Sequence, residues 1–255
     1  MTSPARPPTL FATRRRSTAI SAIQPVIPTL THTRRGLRAR RSTGARAWRA
    51  VEFAVLFVGI PLAIAIFREE LGRALIPVLL GLAAFCLVAL LVDRSFDRRR
   101  LWNSARAMRR LPVIMGLFAI GAAGIAACVA LFTPDRLLSF PLNSPEVWLM
   151  VMLLYPLLSV YPQEIIYRTF FFHRYEAIFP SRWLLIGASA LAFGWMHIVF
   201  WNVVAVALTV LGGAMFAWTY HRTRSTFGAS LEHALYGCFV FTIGLGWYFY
   251  GGRGG

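Results

Sequence analysis

A few strongly polar side chains, chiefly Gln163, Glu164, Arg168, His197, Glu232 and His233, lie inside runs of sequence that are otherwise apolar. An ionisable group at membrane depth costs several kcal/mol unless it is paired, so each is a functional candidate by default. Glu164 and Arg168 are four residues apart with the acid nearer the amino end, the favourable order for an ion pair on one helix face. Taken alone, that pair could do no more than neutralise itself. His197 closes the stretch Phe193-Gly194-Trp195-Met196-His197, and His233 follows Glu232 near the start of the last apolar run. A carboxylate and two imidazoles on three segments can hydrolyse a peptide bond in two ways. The carboxylate of Glu164 can act as general base on a water while His197 and His233 donate to the developing oxyanion. Alternatively, Glu164, His197 and His233 can hold a divalent metal such as zinc that acidifies the water. Residue types alone do not separate the two.

The elements that must position these groups are membrane helices. The chain has 255 residues, 57% of them hydrophobic, too apolar for a water-soluble domain of this size. From residue 50 onward it runs as apolar stretches near the twenty residues that a helix rising 1.5 Å per residue needs to cross the hydrocarbon core. They fall at about 50–67, 74–92, 111–132, 146–171, 183–200, 202–220 and 227–250. The expected fold is therefore an all-α polytopic bundle of about seven transmembrane helices. Pro156 and Pro162 interrupt the fourth run, and a break there would raise the number to eight. Counted from the basic joints, Glu164 lies roughly 15 Å deep, His197 roughly 20 Å and His233 roughly 10 Å, so the three can share one layer.

All 27 basic residues are arginines, against 10 acids. They sit in short blocks between apolar runs, which argues against nucleic acid as a partner and for the lipid bilayer. Asp93 to Arg110 carries seven arginines against two aspartates, and Arg174, Arg182, Arg222 and Arg224 mark the other basic joints. An amino terminus in the cytoplasm puts every one of these joints on the cytoplasmic side of an inner membrane. Residues 1–49 hold eleven arginines and no acid, and are expected to form a disordered cytoplasmic segment ahead of a membrane domain at 50–251. Cys86, Cys128 and Cys238 fall in apolar runs without metal-binding spacing and read as packing residues.

Three stretches, Gln163-Glu164-Ile165-Ile166-Tyr167-Arg168, Phe193 to His197 and His233 to Gly237, resemble in order and spacing the motifs EExxxR, FxxxH and HxxxN of the CPBP intramembrane protease family, also called CAAX prenyl protease 2-like or abortive-infection-like proteins. The resemblance covers about 146–250. It implies a protease-like core there, with Glu164, Arg168, His197 and His233 matching family site positions and Phe193 opening the second motif. Two positions depart. The first acid of the family motif, taken there as the water-activating base, is Gln163, which takes up no proton at neutral pH. The closing asparagine, thought to help the oxyanion site, is Gly237. Glu164 is then the expected base with Gln163 as a hydrogen-bond donor. Glu232, adjacent to His233 and so about 100° away around the helix, is the weaker replacement.

The resulting expectation is an intramembrane endopeptidase acting on a membrane-associated peptide or protein, in a bacterial style of short loops and arginine. The alternative is a relative that keeps the fold and binds a peptide without cutting it, as a scaffold or immunity-type protein; Gln163 and Gly237 favour it. A transporter comes third, since the sequence lacks the inverted repeats and broken helix pairs common in that class.

Overall fold

A computed structural model of the protein describes residues 44–249. The expectations for residues 1–43 and for the last residues of the chain lie outside that range. Among the described residues the secondary structure is entirely helical. Six helices are long and apolar enough to cross a membrane: α1 Gly44–Ile66, α2 Arg68–Val92, α3 Arg98–Phe132, α4 Pro145–Tyr175, α5 Arg182–Phe200 and α6 Val203–Thr223. The protein is a multi-pass membrane protein of all-α architecture. A further helix, α7, spans Thr226–Ile243. It is the seventh expected segment and ends earlier than expected, at Gly244, whose φ of 107° stops the helix. Its first half carries Ser230, Glu232 and His233, so it falls short of the other six in apolar character. α1 begins at Gly44, inside the segment expected to be disordered.

Short capped turns make α5 and α6, and α6 and α7, antiparallel neighbours. Trp201 adopts φ 51°, and Asn202 Oδ1 accepts from the amides of Val204 and Ala205 at 2.8 and 3.2 Å, which starts α6 after a joint of two residues. Arg224 ends α6 at φ 49°, and Ser225 Oγ accepts from the Gly228 amide at 3.1 Å to start α7. Glycine lets α5 and α6 approach closely: a Cβ on Gly194 would strike Val210, and one on Gly213 would come within 3.1 Å of Phe193 and 3.2 Å of the Ala190 Cα.

The same turns sort the joints. Thr226 donates to the Arg100 carbonyl at 3.0 Å, and the Arg224 guanidinium meets Glu176 at 2.7 Å. His173, expected to be solvated or in contact with lipid headgroups, binds Asp93 at 2.9 Å. The ends of the helices at 93–97, 176–181 and 224–225, where the arginines concentrate, thus meet at one end of the bundle. At the other end Trp201 Nε1 donates to the Ala65 carbonyl at 3.2 Å, joining the end of α5 to the end of α1.

The core is aromatic. Phe53 and Phe57 of α1 meet Phe171 and Tyr175 of α4 edge to face at 5.0 to 5.7 Å between centroids. Tyr167 carries the stack on to Phe193 of α5 at 5.4 Å. This cluster fixes α4 against α1 and α5, and α4 carries the first of the candidate site residues.

Candidate active site

The two prolines do not break α4. The helix stays continuous from Pro145 to Tyr175 but widens into π-helical turns at Pro156–Val160 and Ile165–Phe170, flanking the turn Tyr161–Glu164. A wider turn tolerates the amide that proline lacks, and π turns recur at functional positions for the same reason, since each re-aims the side chains after it. Carbonyls loosened in such a turn need other donors; Ser189 Oγ of α5 supplies one to the Tyr167 carbonyl at 2.7 Å.

The side chain of Glu164 is fully buried and its two oxygens are divided. Oε1 lies 2.9 Å from His233 Nδ1, and Oε2 lies 3.2 Å from Arg168 Nε. A carboxylate accepts, so the imidazole donates from Nδ1 and its Nε2 carries the lone pair. Arg168 is equally buried, and its guanidinium stands over the rings of Phe193 at 4.5 Å and Phe216 at 5.6 Å. The nitrogens of Arg168 make no aligned hydrogen bond, so charge pairing and ring faces hold the cation. Glu232 is buried nearby with neither oxygen hydrogen-bonded.

Around His233 the packing is aromatic. Phe216 stacks on the imidazole at 4.6 Å and 15°, and Phe193 meets it edge-on at 5.3 Å. His197 also packs against Phe193, 4.7 Å between ring centroids. Its Nδ1 is 2.7 Å from the Phe193 carbonyl, which can only accept, so Nδ1 donates and Nε2 is again the bare nitrogen.

These groups border a cavity of about 1690 Å³ lined mostly by apolar side chains, with Tyr155, Gln163, Phe193, His197, His233 and Gly237 in its wall. Arg68, Glu69 and Arg73, at the joint of α1 and α2, belong to the wall as well, so the cavity occupies the half of the bundle away from the arginine-rich joints. Neither Glu164 nor Glu232 lines it. Gln163 does, with its amide nitrogen 2.8 Å from Ser159 Oγ and its carbonyl oxygen without a hydrogen bond.

The structure therefore brings together Gln163, Glu164, Arg168, Phe193, His197, His233 and Gly237, all expected from the sequence. Glu164 lies behind His233 instead of facing the cavity. For zinc, the donors do not fit as arranged: among the described residues no three His, Cys, Asp or Glu side chains converge on a point. Glu164 is committed to His233 and Arg168. Two residues of the site, Phe216 and Tyr155, gave no signal in the sequence, because each apolar run contains aromatic residues.

Residues 145–239 match the family model described as Type II CAAX prenyl endopeptidase Rce1-like. The matched stretch begins with α4, ends within α7 and contains every site residue named above. Comparison with curated proteins and with solved structures gives no match.

Proposed function

We propose that residues 145–239, an Rce1-like segment, form the working core of an intramembrane endopeptidase that cuts a peptide bond of a membrane-associated peptide or protein with a water activated by His233. The observation that carries this reading is the buried 2.9 Å contact between Glu164 Oε1 and His233 Nδ1, with the opposite side of the imidazole at the cavity wall. A carboxylate behind an imidazole holds the tautomer and stabilises the imidazolium that forms when Nε2 takes a proton. Glu164 can do this without leaving Arg168, because each partner uses a different oxygen.

In the proposed step, a water in the cavity gives one proton to His233 Nε2 and directs its second hydrogen to the lone pair of His197. Its oxygen bonds to the carbonyl carbon and the carbonyl π pair moves to oxygen. The carbon–nitrogen bond then breaks and the nitrogen leaves with the proton from His233. Gln163 cannot serve as base; its amide nitrogen is held by Ser159 and its carbonyl oxygen is buried without a hydrogen bond. No step uses a metal.

The arginine-bearing end of the bundle faces the cytoplasm of a bacterial inner membrane in this reading, and the cavity lies in the outer half. The second reading, a peptide-binding relative without activity, is favoured by one observation: Gln163 puts a neutral amide on the cavity wall.

The test is cleavage of a quenched transmembrane-peptide library by the purified full-length protein in detergent, with Glu164→Gln, His197→Ala, His233→Ala and a chelator in parallel. Cleavage lost in the three variants and indifferent to the chelator is expected. Chelator-sensitive cleavage would replace the imidazole base with a metal. If wild type cuts nothing and Gln163→Glu switches cleavage on, the non-catalytic reading takes over.

A further inference from the structure

Tyr155 closes the regular part of α4, Pro145–Tyr155, just before the first π turn. Its phenol crosses to α7, where the oxygen lies 3.2 Å from His233 Nε2. Glu164 draws the Nδ1 proton of that ring, so Nε2 accepts and the phenol O–H donates. One helical turn beyond His233, the phenol is seated against Gly237. A Cβ at 237 would lie 2.5 Å from Tyr155 Cε1 and 2.8 Å from Cζ, and would strike the phenol oxygen as well. Any side chain at 237 must therefore displace this ring, so the phenol at 155 and the bare backbone at 237 are one feature. The phenol also lies in the cavity wall beside His233.

We propose that Tyr155 is the catalytic oxyanion donor of the site, a role that rests on the endopeptidase reading above. In the resting protein its O–H occupies the lone pair of His233. When water and a peptide carbonyl enter, the water takes over Nε2 and the phenol turns to the carbonyl oxygen. The water oxygen bonds to carbon, its proton goes to Nε2, and the electron pair released onto the carbonyl oxygen is held by the phenol O–H. Collapse of that oxyanion breaks the carbon–nitrogen bond, the nitrogen takes the proton from Nε2, and Tyr155 keeps its own proton throughout. A donor that meets the oxygen only as charge develops on it favours the transition state over the ground state, so its loss falls on kcat.

The test measures kcat and KM of full-length Tyr155→Phe, Gly237→Asn and the double variant Tyr155→Ala/Gly237→Asn on a quenched transmembrane peptide that wild type cleaves, with His233→Ala as reference and thermal unfolding as a check on folding. Tyr155→Phe is expected to lose about 10²–10³-fold in kcat with KM little changed, the usual result of removing one oxyanion donor. Gly237→Asn alone is expected to be as poor, because its carboxamide and the phenol compete for one volume. The double variant is expected to regain at least about tenfold over Tyr155→Phe, since the asparagine N–H donors enter the vacated space. If Tyr155→Phe does not fold, the double variant carries the test alone. Cleavage by Tyr155→Phe within about threefold of wild type while His233→Ala is dead, a loss confined to KM, or a double variant without recovery overturns the role of Tyr155 and leaves the endopeptidase reading standing. Wild-type rates in His233→Ala, or no cleavage by wild type, overturn both.

Discussion

The helices α1 to α3 and the helices α4 to α7 solve different problems with similar residues. In the most apolar stretch of α1, α2 and α3 only 22%, 22% and 11% of residues are buried within the protein, against 28%, 50% and 39% in α4, α5 and α6. Leu131 and Phe132 of α3 are three-quarters exposed or more, as side chains facing lipid are. Every buried polar or charged side chain among the described residues lies between Glu164 and His233. In lipid a buried polar group is tolerated only where neighbouring helices supply partners. The first three helices therefore serve as wall and wrapping, while the later four hold a polar interior, and the family match falls on that second part alone.

The sharpest way to break this contrast is to remove the charge pairing at the imidazole. Glu164→Gln is expected to lower cleavage by about 10⁴-fold, as loss of the carboxylate behind a catalytic histidine does elsewhere, measured as kcat/KM on a peptide from the library. Leu131→Ala, on α3 away from the cavity, is expected to change neither rate nor stability by more than about 0.5 kcal/mol. Equal losses in the two variants would sink the division of labour.

Next in size is a stability effect. Arg168→Met leaves the Glu164 carboxylate buried with His233 as its remaining partner, and breaking one side of a buried pair costs about 3–5 kcal/mol. Denaturant or thermal unfolding in detergent reads this directly. Glu164→Gln combined with Arg168→Met is expected to recover part of the loss, because no unpaired carboxylate then remains; a purely additive double variant would mean that the pair is not coupled.

Much of this interior was legible in the sequence because a membrane makes polar residues conspicuous. Glu164, Arg168, His197 and His233 stood out against apolar neighbours, and the depths of Glu164, His197 and His233, counted along the helices, allowed the three to share one layer. What the sequence hid was direction. Nothing in the spacing of Gln163 and Glu164 says which of them faces the cavity, because the π turns on either side of Tyr161–Glu164 shift the register that a regular helix would impose. The same turns explain why Pro156 and Pro162 read as interruptions although α4 runs through both. Tyr155 and Phe216 were invisible for the opposite reason: an aromatic side chain in an apolar run is ordinary, and only the packing shows which one meets an imidazole. The order of helices followed from the apolar runs, whereas the lesser apolar character of α7 follows from the polar residues that make it useful.

A smaller effect is expected where α5 and α6 touch. Gly213→Val pushes a branched side chain into Phe193 and the Ala190 backbone, already 3.1 to 3.2 Å from an added Cβ. Overpacking of this kind costs about 1–3 kcal/mol. Because Phe193 packs against His197, His233 and the Arg168 guanidinium, cleavage is expected to fall further than the stability loss alone explains. Unchanged cleavage in a destabilised variant would mean that the position of Phe193 is not critical.

The smallest effect lies at the arginine-rich end, outside the membrane-spanning helices. Arg224 hydrogen-bonds both oxygens of Glu176, at 2.7 and 3.1 Å, and that contact holds the carboxyl below its usual range, although partial burial works the other way. A carboxylate whose pKa is lowered by folding stabilises the protein at pH values above its unfolded pKa, and the contribution disappears as the pH falls through the folded value. The Glu176 side chain keeps 47% of its exposure, so solvent screens the pair and its worth at neutral pH is about 0.2–1 kcal/mol. Glu176→Gln is therefore expected to unfold slightly more easily than wild type at pH 7, with the two proteins converging once the medium is acidic enough to protonate the wild-type carboxyl. A difference that persists undiminished in acid would trace the stability of this joint to packing instead of charge, and would remove the electrostatic distinction drawn between the rim of the bundle and its buried pair.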